Sequence, residues 1–196
     1  AHTRAARAKG FPARSVFKLE EIDRRVRLFK TGQRVLDLGA APGSWSLYAA
    51  GRVGPSGRVL AIDLSPIEQH FPEHVDVVEG DALVLESEVL ARHGPYDVVL
   101  SDMAPSTSGT KGRDQALSFE LFMRALEVAK TSGKPRSHFV GKIFMSGDFQ
   151  EARRAVAEAY ERCQVIRPEV TRAQSSEVFV VGIGLRQAKR PDHSGG

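Results

Sequence analysis

Seven short apolar runs, spread along 196 residues with helical patterns between most of them, constrain the fold of this chain more than any other feature. Residues 34–39 (RVLDLG), 58–63 (RVLAID), 75–79 (VDVVE), 96–101 (YDVVLS), 138–144 (HFVGKIF), 163–167 (CQVIR) and 177–185 (EVFVVGIGL) read as strands. Most are too uniformly apolar to be half-exposed, and such runs belong to strands covered on both faces, the usual state of a parallel sheet. Helices are expected after Ser15, with Phe17, Leu19, Ile22 and Val26 at helical spacing, and from about Asp114 to Lys130, stopping at Gly133-Lys134-Pro135. Two more carry start signals: Ser65-Pro66-Ile67-Glu68, and Asp148-Phe149-Gln150-Glu151, which opens an alanine-rich stretch ending near Arg162. This alternation predicts an α/β domain with right-handed crossovers and helices on both faces of the sheet. About nine residues, 167–175, separate the last two strands; that is too few for a parallel crossover, so they are expected to pair antiparallel.

The whole of 1–196 reads as one domain, with no internal repeat or linker, and 186–196 as a frayed tail. No stretch reaches the roughly 18 apolar residues of a membrane span and the first residues lack a secretory apolar run, so a soluble protein without membrane partners is expected. The single cysteine, Cys163, excludes an internal disulfide and fits a reducing cytoplasm. Charge is uneven. Residues 1–34 hold ten Lys and Arg against three Asp and Glu, a balance of +7, leaving 18 against 21, or −3, for the remainder. A basic leader on a near-neutral body suits a polyanion, nucleic acid before an acidic membrane surface, with a solvated basic face as the plain alternative.

The first strand runs into Asp37-Leu38-Gly39-Ala40-Ala41-Pro42-Gly43-Ser44-Trp45 and then a helix. Small residues in a strand-to-helix turn let the backbone approach a ligand, and the amides opening the helix favour a carboxylate or phosphate. Neither G-x-x-x-x-G-K-[ST] nor G-x-G-x-x-G is present, which argues against a nucleotide triphosphate or a nicotinamide dinucleotide. Asp63 ends the second strand, where a carboxylate can accept from both ribose hydroxyls, and Asp81, followed by Ala82, ends the third, where it could accept from an adenine amino group. Three acidic residues at successive strand ends describe a nucleoside whose other end carries no phosphates, which S-adenosylmethionine satisfies. A mostly parallel sheet with an antiparallel C-terminal hairpin is, by analogy, the Rossmann-like arrangement of methyltransferases that use it. Asp102 follows the fourth strand, again at the ligand edge, and Lys142 lies inside the apolar run 139–144, where a lysine is costly unless paired. Lys18 and Glu177, taken alone, read as surface residues. No His, Cys and carboxylate cluster has metal-ligand spacing.

DLGAAPGSW (37–45), SDMAP (101–105), the opening RAKGFPARSVFKLEEID and the placing of Lys142 and Glu177 together resemble the FtsJ-type RNA ribose 2′-O-methyltransferases, from about Arg7 to Gly184. That resemblance implies a Lys-Asp-Lys-Glu catalytic tetrad at Lys18, Asp102, Lys142 and Glu177. Read with the loop and the strand ends, S-adenosylmethionine is expected to be held by Asp37, Gly39, Ala40, Pro42, Gly43, Trp45, Asp63, Asp81, Ala82 and Asp102, and the basic leader is expected to meet RNA through Arg7, Lys9, Arg14 and Lys18. Methyl transfer needs an oxygen in line and one base, with Lys142 assigned that role. Two positions depart from the pattern: Thr131-Ser132-Gly133-Lys134-Pro135-Arg136 replaces a leucine-proline-glycine-glycine turn, and Ser44 stands where another glycine is common. The segment 105–112 has the composition of a flexible loop, equally able to close over substrate or to stay disordered. The expected function is 2′-O-methylation of a uridine in large-subunit ribosomal RNA by a cytoplasmic monomer. Transfer RNA or another RNA as substrate, or a non-catalytic RNA-binding assembly factor with the same fold, are the alternatives, and a nicotinamide-dependent oxidoreductase is disfavoured.

Overall fold

The structure, a computed structural model, describes residues 1–106, 108–171 and 176–187. Seven strands, β1 (Arg34–Leu38), β2 (Arg58–Asp63), β3 (Val75–Glu79), β4 (Tyr96–Ser101), β5 (Gly133–Phe144), β6 (Tyr160–Ile166) and β7 (Glu177–Leu185), form one sheet in the order β3-β2-β1-β4-β5-β7-β6. The first five pair in parallel; β7 is antiparallel to both its neighbours, as the short connection requires. It does more than complete a hairpin, because it inserts between β5 and β6.

Successive strand residues alternate between two cores. Leu36, Leu60, Val99, Phe139 and Val180 face α5 (Lys111–Ser132) and α6 (Phe149–Ala159), together with the short α4 (Ser87–Ala91). Val35, Val59, Val98, Val140 and Val181 face α2 (Val16–Val26) and α3 (Ser44–Val53). The uniformly apolar strands are thus explained by cover on both sides. A further helix, α1 (His2–Ala8), precedes these elements, and all but Ala6 of it is exposed.

Four expectations are corrected. The start signal at Ser65–Glu68 opens no helix: Pro72 leaves little room before β3, Asp63 Oδ1 takes the Ser65 amide at 2.8 Å, and the segment is irregular, with Gln69 and Phe71 covering Gly43. The helix expected from 114 starts at Lys111, and the one expected to reach 162 stops at Ala159. There β6 begins early, at Tyr160, whose fully buried ring lies against Gly182. β5 starts five residues earlier than its apolar run, at Gly133. Residues 172–175 of the last connection and the tail from 188 lie outside the described residues.

Candidate active site

All the parallel strands deliver their C-terminal ends to one edge, and β7, running the other way, brings its first residue there as well. Lys142, six per cent exposed, projects from β5 on the side of α2, where Lys18 lies. Lys142 Nζ is 3.3 Å from Asp102 Oδ1 and 3.6 Å from Glu177 Oε1, and Lys18 Nζ donates to Glu177 Oε2 at 2.9 Å. Residues separated by up to 159 positions therefore form one chain of contacts, two cations against two carboxylates. Their balance limits the penalty of gathering charge away from water. Burial raises the Asp102 carboxyl above its ordinary range, against the pull of Lys142 and Lys18. Burial pushes Glu177 the same way, but the two lysines together outweigh it and its carboxyl is lowered.

Beside this tetrad, the edge opens into a cleft of about 360 Å³ lined by Gly39, Asp63, Asp81, Ala82 and Asp102 among the expected residues. Asp102 belongs to both. Gly39 has φ of +74°, and a Cβ there would stand 2.6 Å from Met103 Cγ, so only glycine lets the loop pass this close. Asp63 Oδ2 accepts from the Ala41 amide at 2.9 Å, which ties the loop to the end of β2; each of its oxygens holds one backbone amide and keeps a lone pair for a ligand. Asp81 Oδ1 accepts from the Leu83 amide at 2.9 Å, leaving Oδ2 for another donor.

Five expected cofactor residues do not line the cleft. Ala40, Pro42 and Gly43 build the loop beside it. The Trp45 side chain faces the core, its Nε1 donating to the Ser15 carbonyl at 2.9 Å and its ring packed on Phe179, so only its backbone amide at the start of α3 is left for a ligand. Asp37 is wholly buried; it accepts from Ser46 Oγ at 2.6 Å and burial pushes its pKa up to about 7. It holds α3 against β1 from within, a role that strand-end acidity did not separate from ligand contact.

Ala41, Ile62, Leu64, Gly80, Leu83, Met103, Ala104 and Leu121 complete the cleft and were not expected. The signal was present: Asp63 and Asp102 are each followed directly by a large apolar residue, and Leu64 remains 67% exposed. A cleft with three carboxylates, apolar walls and, among the described residues, no lining Lys or Arg suits a nucleoside bearing positive charge and disfavours phosphates.

The basic leader passes close by. Ser44, the departure from glycine, clamps it to α3: its Oγ accepts from the Ala13 amide at 2.8 Å and contacts the Ala13 carbonyl at 3.2 Å. Arg7, Lys9 and Arg14 are exposed on this segment. Within the loop after β4, the Ser108 amide and hydroxyl donate to Asp114 Oδ1 at 3.0 and 2.7 Å, which ties the loop to α5.

Residues 11–185 match the FtsJ-like methyltransferase family. Ribosomal RNA large subunit methyltransferase E of Sorangium cellulosum is 62% identical over 188 residues, covering 96% of this chain and 89% of that protein. The protein of the same name from Syntrophobacter fumaroxidans is 46% identical over 185 residues, covering 93% and 94%. Among crystal structures, one from Plasmodium falciparum described as a ribosomal RNA methyltransferase has a TM-score of 0.77 at 18% identity, covering 90% of this chain and 99% of that one. At that identity the likeness is one of fold.

Proposed function

The chain belongs to the FtsJ-like methyltransferase family, and from that premise we propose that it methylates a ribose 2′-hydroxyl of large-subunit (23S) ribosomal RNA, with a uridine as target, using S-adenosylmethionine. The observation that carries this reading is the sharing of Asp102 between an acidic, phosphate-averse cleft and a charge-balanced Lys-Asp-Lys-Glu network. Asp63 and Asp81 would hold the ribose and the base of the cofactor, Leu64, Leu83 and Met103 would cover its apolar surfaces, and the amides that open α3 would meet its carboxylate. Bound there, S-adenosylmethionine supplies an electrophilic methyl carbon.

Lys142, its own proton first passed to the Asp102 carboxylate 3.3 Å away, takes the 2′-proton as the oxygen attacks, and Asp102 and Glu177 orient its nitrogen. Lys18, fixed by Glu177, holds the nucleotide so that the hydroxyl lies in reach; positioning carries much of such a reaction. Arg7, Lys9 and Arg14 hold the RNA through its phosphates. The tetrad is complete within one chain, which supports action as a monomer, and ribosomal RNA as substrate supports the cytoplasm as its place. Among the described residues no helix is long and apolar enough to cross a membrane.

Transfer of a labelled methyl from S-adenosylmethionine to large-subunit RNA, with the labelled linkage resistant to alkali, is the expected result, because a 2′-O-methyl removes the hydroxyl that alkali needs. Asp102→Ala should abolish transfer while the fold and RNA binding persist. Wild-type turnover in that variant would overturn the tetrad, and label on a base would overturn the ribose assignment.

A further inference from the structure

At the far end of β5 from the tetrad, positive charge outnumbers negative. Tyr96 pairs with Gly133 and Val98 with His138, so residues 134–137 bulge from the ladder, and Arg136 takes φ of +68°. This is the turn that departs from the family pattern, and its Lys134 and Arg136 line a cavity of about 460 Å³ with Lys30 and His138. A second cavity, of about 500 Å³, is lined by Arg25 and Arg27 at the end of α2 and by Arg162 of β6. His138, Ile183 and Arg162 are register partners across β5, β7 and β6, and the charges of Lys30 and Arg162 both act on the His138 ring. The two cavities therefore lie side by side across β7, and together they make up the basic groove.

Glu21 takes Arg25 at 2.9 Å and Asp97 takes Lys134 at 3.1 Å. Arg27, Lys30, Arg136 and Arg162 have no carboxylate within 4 Å among the described residues. A helix C-terminus favours cations, which accounts for Arg25 but not for residues delivered by two strands and a bulge. His138 adds a donor: burial and then Lys30 depress its pKa, and its Nδ1 accepts from the Gly184 amide at 3.2 Å, so the neutral ring carries its proton on Nε2. A concave surface that offers donors and unpaired cations fits phosphate oxygens. Among the described residues no Phe, Tyr or Trp lines either cavity, which favours contact with the backbone over stacking of bases.

We propose that this groove is a second RNA contact, gripping the phosphate backbone of the segment that flanks the target ribose. It rests on the reading of the chain as an RNA methyltransferase. Four residues of β5 separate His138 from Lys142, about 13 Å at strand rise, and seven residues of α2 separate Arg25 from Lys18, about 10 Å at helical rise. One RNA therefore spans tetrad and groove, with the basic leader at its other side.

The test uses Arg136→Glu/Arg162→Glu, two exposed side chains, against Arg153→Glu/Arg154→Glu, exposed on α6 across the sheet, as a control of equal charge change. On protein-free large-subunit RNA, the groove variant should bind on the order of tenfold more weakly, with the slope of log K against log salt smaller by about two. Its KM for RNA should rise, while kcat at saturating RNA and affinity for S-adenosylmethionine stay at wild-type values; the control should change none of these. Unchanged affinity and slope on free RNA would overturn the proposal. So would weakening seen only on assembled large subunits, because that would give the groove to a ribosomal protein. RNA binding is read separately from methyl transfer, so a wild-type chain that binds RNA without methylating it would count against the enzymatic reading and not against the groove.

Discussion

The two ends of β5 handle charge in opposite ways. At the C-terminal end Lys142 is buried, and its cation is matched by carboxylates at 3.3 and 3.6 Å. At the other end Arg136 is exposed, without a carboxylate in contact among the described residues, in a bulge that breaks the ladder. Burial demands electrical balance and returns fixed geometry, which chemistry needs. Exposure tolerates imbalance because water screens it, and leaves a surface free to take a polyanion. Damage at the first end should therefore appear in turnover, and damage at the second in affinity and salt dependence.

The largest expected effect is that of Lys142→Met, which keeps the length of the side chain and removes its charge. Single-turnover methyl transfer should fall by roughly 10²- to 10⁴-fold. Chemical denaturation should show a stability loss of about 3 kcal/mol, since two carboxylates lose the cation between them. A variant with near-normal turnover would erase the contrast between the two ends.

Gly39→Ala comes next, because its Cβ would need the space of Met103 Cγ and its φ is left-handed. Calorimetry should find affinity for S-adenosylmethionine reduced on the order of tenfold, with about 1–2 kcal/mol of stability lost.

Asp37 sharpens the comparison through pH. Its pKa is about 7 in the folded chain against an ordinary 3.8, so the folded state holds the proton more tightly than the unfolded one. The stability it contributes is full below pH 4 and is lost as pH rises towards 7, at most about 1.4 kcal/mol per unit. Asp37→Asn should flatten thermal stability across that window, and an unchanged pH slope would mean that the carboxylate is ionised in place.

The smallest effect on stability belongs to the basic leader. Lys9 reaches Glu20 only at 4.0 Å, with both side chains well exposed, so reversing Arg7, Lys9 and Arg14 should alter stability by no more than about 0.5 kcal/mol each. RNA binding by the same variant should weaken and its salt dependence flatten.

Strand positions were legible because burial on both faces leaves an apolar run with no ambiguity of side, as in 58–63 and 96–101, which the structure matches residue for residue. The start of β5 was not, since Lys134, Pro135 and Arg136 sit in a bulge that no hydrophobic period marks. Ser65-Pro66-Ile67-Glu68 carried a local helix signal that tertiary demand overrode, the segment being needed to cover Gly43. In the site, the meeting of Lys18, Asp102, Lys142 and Glu177 followed from resemblance, and the ladder explains it: Phe144 pairs with Glu177 and Lys142 with Phe179, a register invisible without the fold. Trp45 showed the limit of motif reading, because membership in a loop does not say which way a ring points.

The strand order has a consequence for a chain under synthesis. Among the described residues β6 pairs with β7 and with no other strand, and Glu177 is the first residue of β7. Until that segment has emerged, β5 presents an open edge, β6 has no ladder to join, and Lys18 and Lys142 lack a shared carboxylate. Completion of the sheet and assembly of the reactive network are thus a single late event. A chain halted before residue 177 would have its cleft walls of β1 to β4 in place and no tetrad.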